Sequence, residues 1–164
     1  MTVDIFIQWI YTQKLMSIGA YACPHFQISR IKAAILGDRF QSPDFTKAVR
    51  YELISVLVES PLGASGEAAI YAFENLPAED LLPNLLVDTA ASHWKLYEDR
   101  EELEDMEKRL PKAFLFRFMQ RIIYQMHAGD DLEDWDFSHL DECDYHGHED
   151  RKDELQCQRQ ARKL

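Results

Sequence analysis

The first dozen residues carry the pattern that most constrains the fold. Ile5, Phe6, Trp9 and Ile10 recur at the three- and four-residue spacing that places side chains on one face of a helix. Burying such a side chain is worth about 1.5–3 kcal/mol, so we expect this helix to lie inside a core. Because a helix expected to be buried begins at the first residues, we expect this sequence to be the C-terminal part of a larger domain.

The same helical periodicity runs through the later apolar segments, and alternating strand patterns are scarce. Ser42 and Pro43 place a hydroxyl cap before a proline at the first helical position, which is a strong start signal. The stretch Ser60–Gly66 is the clearest loop. The predicted helices cover about 3–13, 27–40, 43–59, 66–75 and 111–127, with a further helix that starts between 77 and 80.

Composition limits which partners and which cellular compartment we expect for this protein. A chain of 164 residues is long enough for one good core. The net charge of −11 disfavours nucleic-acid phosphate or an anionic membrane surface as a partner. Three widely spaced cysteines do not suggest a disulfide framework. We therefore predict a cytoplasmic or nuclear protein with neither a signal peptide nor a membrane span.

Short segments, in order along the chain, resemble a group of fungal proteins that contain a BTB/POZ domain. The segments similar to the last helices of that domain are Phe6–Thr12, Ile31–Phe40, Ser42–Phe45 and Ala48–Val49. Those similar to the BACK-like helical region that follows it are Ile70–Asn75, Leu85–Asp88, Trp94, Pro111–Leu115 and Cys143–His148. The strands and first two helices of a whole BTB domain have no counterpart in this sequence.

Together these features predict an all-α, irregular helical bundle in three regions. Residues 1–60 would be the C-terminal remnant of a truncated BTB/POZ domain, and residues 65–128 a BACK-like helical region. Residues 129–164 would form an acidic and largely disordered tail. The resemblance implies a non-catalytic protein–protein interaction module with an adaptor or oligomerisation role. It implies as partners a second copy, another BTB-type protein or a cullin-type ubiquitin ligase. An incomplete gene product without retained function is an alternative.

The aromatic residues near the start have two interpretations. Phe6, Trp9, Ile10 and Tyr11 are candidate interaction residues, because buried aromatic side chains dominate many interfaces. Apolar residues at helical spacing are also typical of a core. Since the rest of a BTB domain has no counterpart, we expect part of this surface to stay uncovered and to seek a partner.

The residues Cys143, His146 and His148 form the one grouping with the character of metal ligands. Thiolate sulfur and imidazole nitrogen suit Zn²⁺, which takes four tetrahedral ligands in a structural site. Cys157, His139 or Asp141 could supply the fourth ligand. The spacing matches no common zinc module, so the first expectation is a chain without a metal or other cofactor. A small zinc-binding module is the alternative.

The sequence gives no positive evidence for an enzyme. It contains no nucleophile elbow and no glycine-rich loop after a strand. Cys23 precedes a proline with no activating base nearby, which makes it a poor nucleophile. The charged run Glu98–Arg109 is typical of a solvated helix face, with a docking surface for a basic partner as the alternative. We expect structural roles for His25, His93 and His127.

Overall fold

The all-α prediction is confirmed. In this computed structural model the described residues are 2–15, 23–59, 63–92, 108–128, 140–148, 151–153, 155 and 157, and none of them forms a strand. They form α1 (Thr2–Thr12), α2 (Pro24–Arg39), α3 (Pro43–Glu59), α4 (Gly66–Asn75), α5 (Leu82–Ser92), α6 (Lys112–Ala128) and a 3₁₀ helix (Glu142–Tyr145). Residues 151–153 are also helical. The elements pack as an irregular bundle.

Local signals set the helix starts. Helix α2 begins three residues earlier than predicted, because Pro24 occupies a first-turn position after an extended Cys23. The side chain of Ser65 caps α4 by accepting a hydrogen bond of 3.2 Å from the backbone N–H of Ala68. Helix α5 starts later than predicted, at Leu82, whose N–H donates to the Asp80 carboxylate at 2.9 Å.

One core joins the regions that the sequence analysis separated at residues 60–65. Its buried side chains come from α2, α3, α4 and α5, and Tyr145 of the 3₁₀ helix belongs to the same cluster. Representative members are Ile31, Leu53, Ala68 and Leu85, all fully buried. A second cluster packs α1 on α2 and α3, and a third packs α6 on α4 and α5. Helices α2 to α5 therefore share one core, on which α1 and α6 pack through separate clusters.

Polar side chains of α2 and α3 hold two loops against this core. The carboxamide of Gln27, fully buried, donates to the Gly63 carbonyl at 3.1 Å and accepts from the Ser65 N–H at 2.8 Å. Arg50 donates to both carboxylate oxygens of Asp80, at 2.9 and 2.6 Å. These contacts fix the two segments that precede α4 and α5. Among the described helices, none has the length and hydropathy needed to cross a membrane.

Candidate metal centre

Four potential metal ligands converge at the C-terminal end of the described chain. Cys143, His146, His148 and Cys157 each offer one donor atom, and these atoms all lie within 4.8 Å of one another. All four residues are half-buried. Cys157 lies well beyond the other three in the sequence, and its sulfur nevertheless belongs to the same cluster.

The loop that carries three of these residues is shaped by two local features. Asp141 caps the 3₁₀ helix by accepting a hydrogen bond of 2.9 Å from the backbone N–H of Cys143. Gly147 adopts a φ of +65°, which side chains strongly disfavour. This turn lets His146 and His148, on either side of it, present their rings to the same cluster.

Tyr145 anchors the loop to the core between the first two ligands. Its side chain is buried in the main cluster. The phenol donates a hydrogen bond of 2.7 Å to Asp88, whose carboxylate also pairs with Arg121 at 2.8 Å. Burial, followed by the Asp88 contact, raises the pKa of Tyr145 well above its usual range. The metal-ligand loop is thereby fixed against α5.

The His146 ring is held on both sides. Its Nδ1 lies 3.1 Å from Cys157 Sγ, and its plane stacks on Tyr51 of α3 with ring centroids 3.9 Å apart. The side chain is only 5% exposed. Burial, and then the neighbouring His148, lower the pKa of His146 below its usual value. A lower pKa favours the neutral ring, which is the form that binds a metal.

His148 is oriented for ligation by a carboxylate. Its Nδ1 lies 3.3 Å from an Asp153 oxygen. Its Nε2 is buried and has no hydrogen-bond partner among the residues that the structure describes. A histidine that contacts a carboxylate through one ring nitrogen and leaves the other nitrogen unpaired resembles the carboxylate–histidine–metal arrangement of many metal sites. The unpaired nitrogen is the one available to a metal.

The two cysteines complete the donor set. Burial raises the pKa of Cys143 to about 12, with further contributions from the adjacent Cys157 and the charge of Asp141. A thiol in these surroundings stays protonated until a cation replaces its proton. Neither cysteine is in a disulfide, so both sulfurs are available for coordination.

Zn²⁺ fits this donor set. Bonds of about 2.0–2.3 Å to a tetrahedral metal place the donor atoms about 3.3–3.8 Å apart. The 3.1 Å separation of His146 Nδ1 and Cys157 Sγ and the 4.8 Å upper limit bracket that range. Two thiolates and two imidazoles favour zinc over magnesium or calcium, which prefer oxygen ligands. Four protein ligands would close the site to substrate.

The structure selects among the ligands that the sequence left open. It brings Cys143, His146 and His148 together, and Cys157 is the fourth member of the cluster. Asp141 caps the 3₁₀ helix, and His139 lies outside the described residues. The orienting residues Asp153 and Tyr51 were missed. Their residue types give no signal of this role, and only the fold brings them to the cluster.

The predicted interaction residues divide into two groups. Phe6 stacks on Phe40 and meets Phe45 edge-on at 4.9 Å, and Trp9 also contacts Phe45. These two side chains belong to the α1 packing cluster. Ile10 and Tyr11, by contrast, are 53% and 84% exposed. The outward face of α1 is therefore separate from the aromatic face that packs inward.

Other residues weighed in the sequence analysis lie away from the cluster. Cys23 is exposed at the start of α2, and His25 is exposed in its first turn. His93, the His127 side chain and most of the charged run 98–109 lie outside the described residues. The tail was predicted to be largely disordered, which did not anticipate the packing of residues 140–148 on α3 and α5.

A scan against protein-family models finds no match to this chain, and searches of curated proteins and of solved structures find none either. The resemblance to fungal BTB/POZ proteins stays a prediction from the sequence.

Proposed function

We propose that this chain is a non-catalytic helical interaction module whose C-terminal segment is fastened by a structural Zn²⁺. Cys143, His146, His148 and Cys157 are the ligands. The observation that carries the proposal is the convergence of their four donor atoms within 4.8 Å. This proposal replaces the first expectation, drawn from the sequence, of a chain without a cofactor.

A structural role suits this centre better than a catalytic one. A catalytic zinc keeps one position open for water or substrate, whereas four protein ligands fill the tetrahedron. The donor set of two thiolates and two neutral imidazoles also balances the charge of Zn²⁺. The half-buried position of all four ligands limits the approach of substrate.

The metal would stabilise a C-terminal segment that buries few apolar side chains. Tyr145 is the one buried side chain that the described residues from 140 onward contribute to the main core. Zinc-finger peptides bind structural zinc with an apparent binding free energy of about 10–16 kcal/mol at neutral pH. A metal bond to His146, which stacks on Tyr51, would join this segment to α3 as well as to α5.

Metal analysis of purified protein tests the proposal. The chain reconstituted with Zn²⁺ should retain one equivalent through gel filtration, and Cys157→Ser should lose most of it. Cys23→Ser is the matched control, because Cys23 is exposed and lies outside the cluster. A wild-type chain that retains no zinc, or a Cys157→Ser variant that retains a full equivalent, would contradict the assignment.

The interaction role has separate support from α1. Val3, Ile7, Ile10 and Tyr11 are exposed and recur at helical spacing, which places them on one outward face. Apolar side chains grouped in this way are typical of contact surfaces. The occupant we propose for this face is a second copy of the chain, in keeping with the oligomerisation role implied by the resemblance.

A further inference from the structure

The cluster places two thiols close together. The Sγ atoms of Cys143 and Cys157 lie within 4.8 Å of each other, and both residues are half-buried rather than enclosed. The loop containing His146 and His148 lies between them in the sequence. The remaining cysteine, Cys23, is exposed at the start of α2 and takes no part in the cluster.

We infer that Cys143 and Cys157 form a peroxide-sensitive pair whose oxidation to a disulfide releases the zinc. The inference rests on the proposed zinc centre. Hydrogen peroxide is the oxidant, and a dithiol is the reductant that reverses the reaction. The site is thus a covalent modification site as well as a metal centre.

The reaction balances in two steps. One thiolate attacks a peroxide oxygen, which breaks the O–O bond, expels hydroxide and leaves a sulfenic acid on that cysteine. The second thiolate attacks the sulfenic sulfur, forms the S–S bond and expels a second hydroxide. The two sulfurs together lose two electrons, and the peroxide gains them. The zinc loses both thiolate ligands and leaves, because two imidazoles are an incomplete tetrahedral set.

The closeness of the two sulfurs makes the oxidation reversible, since their Sγ atoms lie within 4.8 Å of each other. Each sulfenic acid has the partner thiolate beside it, which favours a disulfide over further oxidation to a sulfinic acid. The disulfide also keeps the two segments together, so that reduction restores a ligand set already in place.

The full-length Cys23→Ser variant gives the sharpest test, since Cys143 and Cys157 are then its two remaining cysteines. The zinc-loaded protein is titrated with hydrogen peroxide while a chromophoric chelator reports free Zn²⁺. We expect one zinc released per disulfide formed, and a denatured chain lighter by two hydrogens. Peptide mapping should locate an intramolecular 143–157 link. Dithiothreitol and fresh Zn²⁺ should restore the starting state.

The outcomes separate this inference from the zinc assignment. A reduced chain that takes up no zinc contradicts the proposed function, and the inference falls with it. A chain that binds one zinc but retains it under peroxide contradicts the inference alone. Release accompanied by sulfinic acids or by intermolecular disulfides, without the 143–157 link, also overturns it. Wild-type protein should release zinc as Cys23→Ser does, because Cys23 is not a member of the cluster.

Discussion

Gly37 sets how closely α2 approaches the start of α3. A Cβ at this position would lie 2.8 Å from the Phe45 ring and would also overlap the Thr46 hydroxyl. Overpacking usually costs about 1–3 kcal/mol, and the roughly 1 kcal/mol by which alanine favours a helix over glycine offsets part of this cost. Gly37→Ala should therefore lower the free energy of unfolding by up to about 2 kcal/mol.

Urea denaturation measures this effect, and Arg39→Ala provides the control. Arg39 is exposed in the last turn of the same helix, so its loss should change stability by no more than about 0.5 kcal/mol. A Gly37→Ala variant as stable as the wild type would show that α3 can shift to accept the added methyl group.

Tyr145 permits a test of the anchor without loss of the buried ring. Tyr145→Phe removes the hydrogen bond to Asp88 and should cost about 1.5–3 kcal/mol, the range for bonds to charged groups. Tyr145→Ala should cost about 3–5 kcal/mol, as other large aromatic truncations do. Thermal unfolding of the zinc-loaded chain measures both. Equal stability of Tyr145→Phe and wild type would mean that Asp88 contributes no net stabilisation through this bond.

At the scale of single residues, the sequence predicted which residue types could bind a metal but not how the fold arranges them. Cysteine and histidine types predicted Cys143, His146 and His148 as the candidate group. The choice of Cys157 as the fourth ligand depends on how the chain folds back after His148. No spacing rule contains that information. The residue types therefore predicted the chemistry of the site, while the fourth ligand could be identified only from the fold.

At the scale of elements, α1 separates a packing role from a binding role. Trp9 packs with Phe45, whereas Tyr11 is 84% exposed on the outward face. Trp9→Gln should lower the free energy of unfolding by about 2–4 kcal/mol, since it leaves a cavity and buries a polar group. Tyr11→Gln should leave stability nearly unchanged and weaken self-association.

Analytical ultracentrifugation at micromolar concentrations distinguishes these variants. Wild type should form dimers that Tyr11→Gln weakens, while circular dichroism shows both chains equally folded. A wild-type chain that stays monomeric at high concentration would contradict self-association through α1. Loss of association only in unfolded variants would do the same.

Helix periodicity predicted the elements well where the starts carry local signals. Pro43 begins α3 and Gly66 begins α4, at the positions predicted from the sequence. The predicted start of α5 was too early. Asp80 pairs with Arg50 of α3, and its carboxylate also accepts a hydrogen bond from the N–H of Leu82, where the helix begins. A contact between distant segments decided that boundary, and local pattern could not show it.

At the scale of the whole molecule, Tyr145 of the metal-ligand loop belongs to the same core cluster as side chains of α2 to α5. Zinc binding should therefore stabilise more than the tail. A ligand at one hundred times its Kd adds about 2.7 kcal/mol to the folded state. For a chain of this size, each kcal/mol raises Tm by about 2–4 °C.

Scanning calorimetry with and without a chelator measures this linkage. Removal of zinc should lower Tm by several degrees in wild type and in Cys23→Ser. In His148→Ala the chelator should have little effect, since a ligand is already missing. A wild-type Tm that is independent of zinc would mean that the metal contributes nothing to the shared fold.

X-ray absorption spectroscopy of the zinc-loaded chain tests the central claim most directly. The extended fine structure above the zinc edge should show four ligands, with two sulfurs at about 2.3 Å and two nitrogens at about 2.0–2.1 Å. The sulfur contribution should fall in Cys143→Ser and Cys157→Ser and stay unchanged in Cys23→Ser. A shell of nitrogen and oxygen alone in the wild-type protein would contradict the Cys143, His146, His148 and Cys157 centre.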